Sequence, residues 1–138
     1  MKKFSNIGLR MTPQRIAVFN YLEGNKMHPS AEDIYKSISK EFSTMSFATV
    51  YNTLTAMKNH GCLVELTIDP DKKRFDPNTF PHHHLMCIRC RRILDVEIDY
   101  DLTSPDSDFE VIGHHIEFYG LCTKCKGKKC QRERIKPH

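Results

Sequence analysis

The chain has 138 residues, 39% of them apolar and 28% charged, which excludes a disordered chain and leaves room for one domain or two small ones needing extra stabilisation. No stretch approaches the ~20 apolar residues of a membrane span, and no apolar run follows Met1-Lys2-Lys3-Phe4. A cytoplasmic protein with no membrane partner is therefore expected.

The net charge of +4 is unevenly spread: residues 1–60 hold eight Lys/Arg against four Asp/Glu, residues 95–117 hold eight acids and no Lys or Arg, and residues 124–136 hold seven bases and one acid. A basic first half suits a polyanion, and suits an ordinary solvated surface equally well.

In chain order, Thr12-Pro13 predicts an N-cap with proline at the first helical position, followed by Ile16, Phe19 and Leu22 at helical spacing and Gly24 as a stop. Ser30 and Asp33 have the spacing of a capping box, with Ile34, Tyr35, Ile38 and Phe42 as the apolar stripe behind it. Ser46 caps a third helix in which Val50, Leu54 and Met57 face inward, and Gly61 ends it. Val64, Leu66 and Ile68 then alternate with Glu65 and Thr67 as in a strand, and Asp69-Pro70-Asp71-Lys72 turns the chain into a return strand at Arg74-Phe75. Three short capped helices and a basic-tipped hairpin predict a winged helix-turn-helix over residues 1–77. Residues 78–81, bounded by Pro77 and Pro81, are the expected hinge. Residues 82–138 follow as a second domain with strands at 85–87, 93–98 and 116–119, an acidic loop and a basic tail. The expected class is α+β.

Six cysteines and eight histidines are the unusual part of the composition. Without an export signal, metal binding or redox chemistry is favoured over disulfides. Cys87-Ile88-Arg89-Cys90 and Cys122-Thr123-Lys124-Cys125 are two C-x-x-C knuckles separated by 31 residues. Each knuckle can present two thiolates, and the pair completes the tetrahedral four-sulfur site that Zn²⁺ favours. A redox C-x-x-C occurs once, at a helix start in a larger βαβ fold, so structural zinc is the stronger reading. Arg89, Arg91, Arg92, Lys124 and Lys126 can offset the cluster's negative charge. Cys62 reads as a small buried apolar residue, and Cys130 has no evident partner.

His82, His83 and His84 precede the first knuckle, and strand alternation sends His82 and His84 to one face. With Asp76 or Asp95 they would make a mixed N/O site suited to Fe²⁺, Mn²⁺ or Zn²⁺. Spacing alone leaves open whether His28, Asp76 and Asp95 converge there, and whether the histidine run is a metal site or a polar strand. The third helix presents Thr49, Tyr51, Asn52 and Thr55 outward. Asn can read adenine bidentately, and Thr or Tyr can bind phosphate. An ordinary amphipathic helix would look the same.

Several stretches together resemble the ferric uptake regulator family: Leu9-Arg10-Met11-Thr12-Pro13-Gln14-Arg15, His28-Pro29-Ser30-Ala31-Glu32-Asp33-Ile34-Tyr35, Ser46-Phe47-Ala48-Thr49-Val50-Tyr51-Asn52, Arg74-Phe75-Asp76, His82-His83-His84-Leu85-Met86-Cys87 and Phe118-Tyr119-Gly120-Leu121-Cys122. The resemblance implies a winged-helix reader of double-stranded DNA followed by a small α/β dimerisation domain with the four-cysteine zinc site, acting as a homodimer. It implies a regulatory Fe²⁺ or Mn²⁺ held by His28, Asp76, His82, His84 and Asp95, and DNA contacts from Arg15, Ser46, Thr49, Tyr51 and Asn52. Asp at 76 and 95, together with Asn52, resembles the family's peroxide-sensing branch, in which iron-catalysed oxidation of a ligand histidine, here His28 or His82, releases DNA.

The expected function is thus a metal-dependent transcriptional repressor, not an enzyme. The alternative is an iron- or zinc-level repressor without histidine oxidation, with nucleic-acid or thiol-redox enzymes further behind. The segment 99–109 is shorter than in the family and contains Pro105, so the long dimerisation helix is expected to be truncated or absent. His83 and His114 match two ligands of a third metal site found in some relatives, but Pro81 replaces another.

Overall fold

Local sequence signals set the helix starts. The structure, a computed structural model, describes residues 8–98 and 104–127, and its contacts fall into two units divided between Thr79 and Phe80. In the first unit, helix α1 (Pro13–Leu22) begins where the Thr12 side chain accepts from the Arg15 amide, with proline in the first turn. Gly24 takes a positive φ of 67° just past its end, which glycine adopts without a Cβ clash. Helix α2 (Ala31–Ser39) starts with a complete capping box. The Asp33 amide donates to Ser30 Oγ at 3.2 Å and the Ser30 amide to Asp33 Oδ2 at 3.0 Å. Helix α3 (Phe47–Asn59) is capped by Ser46, and Gly61 beyond it again has positive φ.

The three helices bury Val18, Phe19, Leu22, Ile34, Ile38, Val50, Leu54 and Met57 in one core, which Leu63 and Phe75 complete. In α1 the inward face is Val18, Phe19 and Leu22, while Ile16, expected inside, is only half-buried. Phe42 lies past the end of α2 and packs against the core from there. Strands β1 (Val64–Leu66) and β2 (Arg74–Asp76) pair antiparallel, with Val64 opposite Asp76 and Leu66 opposite Arg74. Ile68 is buried although the strand ends before it. The first unit is a winged helix-turn-helix.

The second unit is a three-stranded sheet in the order β4-β3-β5, made of β3 (His83–Cys87), β4 (Ile93–Val96) and β5 (Glu117–Gly120). Strand β3 begins earlier than expected and takes in His83 and His84, whereas β4 stops at Val96. β4 is antiparallel to β3 and β5 parallel to it, so β4 ends where β5 starts and the link between them passes the end of β3 without a helical crossover. Residues 104–116 carry no helix. Among the described residues the second unit consists of strands and turns. Pro105 and the run of acids oppose helix formation in that segment. Cys130 and most of the basic tail lie outside the described residues, and no described helix is long and apolar enough to cross a membrane.

Candidate metal centres and nucleic-acid interface

The β3–β4 turn and the turn after β5 bring the two C-x-x-C knuckles together. In the first, the Arg91 amide donates to the Cys87 carbonyl and the Cys87 amide to the Arg92 carbonyl, each at 2.9 Å. Arg91 adopts a φ of 64° to close the turn. In the second, the Cys125 and Lys126 amides donate to the Cys122 carbonyl at 3.0 and 2.8 Å. Arg89 ties one knuckle to the other by donating from Nη1 to the Cys125 carbonyl at 2.8 Å.

The four Sγ atoms all lie within 4.8 Å of one another, and those of Cys90 and Cys122 are 3.7 Å apart. Zn–S bonds of about 2.3 Å arranged tetrahedrally give sulfur separations of about 3.8 Å. Burial alone would raise the Cys87 thiol. Instead the amides of Cys122, Cys90 and Arg89, directed at its sulfur, bring it down to about 6. Burial and the neighbouring sulfurs push Cys125 up to about 12. A dication in the cluster replaces the protons that the sulfurs otherwise share. The four cysteines fit a structural zinc.

The His and Asp candidates form two groups. In the first unit His28 and Asp76 are both buried, with His28 Nε2 3.4 Å from Asp76 Oδ2. In the second, Asp95 Oδ1 lies 3.1 Å from His82 Nε2 and 3.3 Å from His84 Nε2. The register places Asp95 directly opposite His84 across the β3–β4 pair. The His82 ring is oriented by its own chain, since Nδ1–H donates to the Phe80 carbonyl at 2.6 Å. In the neutral ring that bond leaves the lone pair on Nε2, the nitrogen facing Asp95. Donors bonded at about 2.1 Å sit about 3.0 Å apart when at right angles and about 3.4 Å apart when tetrahedral. The spacings within both groups are therefore those of neighbouring ligands on one first-row ion.

His83, on the opposite face of β3, instead accepts the Ile116 amide at Nδ1 (2.8 Å) and stacks on His114. That accepted bond puts the proton of the neutral ring on Nε2.

On the first unit's surface, Tyr51 and Asn52 are exposed on α3, with Tyr51 stacked against Phe47. Ser46 and Thr49 also lie near the surface, but their hydroxyls are paired at 2.8 Å and Ser46 Oγ accepts the Thr49 amide. Arg15 is half-buried and donates to the Arg10 carbonyl at 2.6 Å. Thr55 donates back into its helix to the Tyr51 carbonyl.

Sequence reasoning missed three features. The Phe80 carbonyl that orients His82 carries no side-chain signature. Glu117, which pairs in register with His84, is bonded by the Tyr119 hydroxyl at 2.6 Å and faces His115 at 3.4 Å. Its place next to a histidine strand was the available clue. The third is the buried Asp69–Arg74 ion pair, which reads from sequence as two ordinary turn charges.

A winged helix joined in one chain to a four-thiolate cluster and to two groups of N/O donors defines a metal-binding winged-helix protein. The ferric uptake regulator family model matches residues 6–119. The chain belongs to that family. It is 39% identical over 126 residues to the peroxide-responsive repressor PerR of Staphylococcus aureus, a match covering 88% of this chain and 85% of that protein. The Campylobacter jejuni peroxide stress regulator superposes with a TM-score of 0.64 at 27% identity, covering 82% of this chain and 89% of its own. The Helicobacter pylori ferric uptake regulator shares the fold at 20% identity, with a TM-score of 0.71 over 94% of this chain and 90% of its own.

Proposed function

We propose that the chain is a dimeric, metal-dependent, DNA-binding transcription repressor of the cytoplasm that senses peroxide by oxidation of its own ligand histidines. The observation that carries this reading is the pair of His/Asp donor groups at ligand spacing, one in each unit. Two or three donors bind Fe²⁺ or Mn²⁺ weakly, and these ions favour larger sets of nitrogen and oxygen ligands. His28, Asp76, His82, His84 and Asp95 taken together make such a set. Cys87, Cys90, Cys122 and Cys125 hold a separate structural Zn²⁺.

Asn52 and Tyr51 on the exposed face of α3 are the base-reading side chains, with Ser46, Thr49 and Arg15 contacting phosphate. Occupancy of the five-donor site would fix the winged helix for DNA binding. When bound, the ferrous ion supplies the electrons that reduce peroxide. His28 and His82, as ligands, would be the imidazoles open to that oxidation. An oxidised imidazole is a poor donor, so metal and DNA are released together. A homodimer is supported by the row Leu94, Leu85 and Phe118, which the strand register lines up across one face of the sheet. Leu94 and Phe118 are each 41% exposed, and a second copy would cover them.

The test is peroxide treatment of iron-loaded protein followed by peptide mass spectrometry. The expected result is a gain of one oxygen atom on peptides containing His28 or His82, with none on Mn²⁺-loaded protein. Unmodified histidines, with DNA binding that follows the iron concentration alone, would instead establish an iron-level repressor.

A further inference from the structure

Three consecutive residues of β2 hold the backbone or ring of the His28-Pro29 segment. Arg74 donates from Nη1 to the His28 carbonyl at 3.1 Å. The Phe75 amide donates to the Pro29 carbonyl at 2.9 Å. Asp76 faces the His28 ring at 3.4 Å. The segment needs holding. His28 has a φ of 52°, in the left-handed region that costs a non-glycine residue about 1–3 kcal/mol, and the residue before a proline is ordinarily extended.

Arg74 also grips the turn between β1 and β2. Its Nε donates to Asp69 Oδ2 at 3.1 Å, its Nη2 lies 2.9 Å from the same oxygen, and Asp69 Oδ1 accepts the Asp71 amide at 2.9 Å. Arg74 and Asp69 are 7% and 4% exposed. A buried ion pair of this kind is a weak source of stability, because desolvation offsets most of its attraction. Its geometric value is larger, since the planar guanidinium can hold two acceptors in a fixed relation, which a lysine cannot do.

We propose that Arg74 is a positioning residue, clamping the wing turn and the His28 ligand segment into one unit so that occupancy of the metal site sets the wing. The proposal rests on the assignment of His28 as a regulatory ligand. In this arrangement a shift of the His28 backbone passes through one guanidinium to Asp69, and from there to the turn bearing Lys72 and Lys73. Those two lysines are the exposed cationic groups of the wing turn. Lys73 is 3.2 Å from Glu65 and Lys72 3.9 Å from Asp33, so the setting of the turn decides how they face a phosphate backbone.

The experiment compares wild type with R74K, H28A and D69N, the last keeping the shape of the turn should R74K not fold. Amide hydrogen exchange is followed with and without Mn²⁺, alongside an Mn²⁺ titration. In metal-free R74K and D69N the Asp71 and Phe75 amides are expected to exchange faster than in wild type, with the α3 amides unchanged. Mn²⁺ affinity of R74K should fall roughly ten- to a hundred-fold, the range for loss of a group that orients a ligand. In wild type, Mn²⁺ should slow exchange at Asp71 as well as at His28, and in R74K at His28 only. Wild-type affinity in R74K, or an Asp71 amide that still responds to Mn²⁺ in that variant, would overturn the clamp. An H28A variant with unchanged Mn²⁺ affinity would overturn the ligand assignment and the proposal with it. H28A weak but R74K normal would overturn the proposal alone.

Discussion

Cys87→Ser removes one of four thiolates from the cluster that joins the turns of the second unit. Among the described residues of that unit, Met86 and Ile93 are its fully buried large apolar side chains, each 1% exposed, with Cys87 and Cys125 beside them. Burying two side chains of that size contributes about 3–6 kcal/mol. A structural zinc contributes about 10–16 kcal/mol at neutral pH, so metal rather than apolar burial sets the stability of this sheet. A serine hydroxyl does not ionise near neutral pH, so only three thiolates would remain to hold the ion. The variant is therefore expected to lose zinc and, with it, protection of the β3 amides. The first unit has its own core, built from Val18, Phe19, Leu22, Ile34, Val50, Leu54 and Met57, and should stay folded. Metal analysis and amide hydrogen exchange on one preparation test both halves, with the helical far-UV dichroism expected to persist. A zinc-free variant whose β3 amides exchange as slowly as in wild type would refute the reasoning.

Three further outcomes are expected. Asn52→Arg should move operator preference from adenine toward guanine at one position per half-site, by about 1–3 kcal/mol per base contact; selection of binding sites from a random DNA pool checks it, and an unchanged consensus removes Asn52 from base reading. Asp95→Glu keeps the charge and oxygen donor but lengthens the side chain where Oδ1 now lies 3.1 Å from His82 and 3.3 Å from His84. Mn²⁺-dependent DNA binding in gel shifts should survive while peroxide-driven histidine oxidation drops steeply, and oxidation at the wild-type rate would show that carboxylate reach does not control sensing. Ser30→Ala removes the side-chain acceptor of the capping box and should lower the first unit's stability by about 1–2 kcal/mol, read as a shift of its urea midpoint.

The helices were legible because their signals are local. Thr12-Pro13, Ser30 with Asp33, and Ser46 each declare a helix start within four residues, and the structure caps each helix with those side chains. The four cysteines were legible for a related reason. C-x-x-C fixes two thiolates on one turn, and only the joining of the two turns is left to the fold. Pro105 gave warning that the segment after β4 would not form a long helix. Periodicity was less exact about which α1 residue faces inward, because Ile16 and Val18 are both apolar and the choice between them depends on how the helices pack.

What stayed hidden was the long-range polar pairing, and the reason is clearest at His28. Local rules place a residue before proline in an extended conformation, yet His28 is left-handed. Nothing in His28-Pro29-Ser30 itself supplies the energy for that departure; it comes from β2, a distant segment, through Arg74 and Phe75. A sequence whose local preferences agree with its fold reveals itself by pattern, whereas a conflict between the two is resolved only by tertiary contacts. Such conflicts persist where something other than stability selects them. The strained backbone therefore points to His28 independently of any resemblance: the imidazole is held in a conformation its own segment disfavours, with its Nε2 facing Asp76.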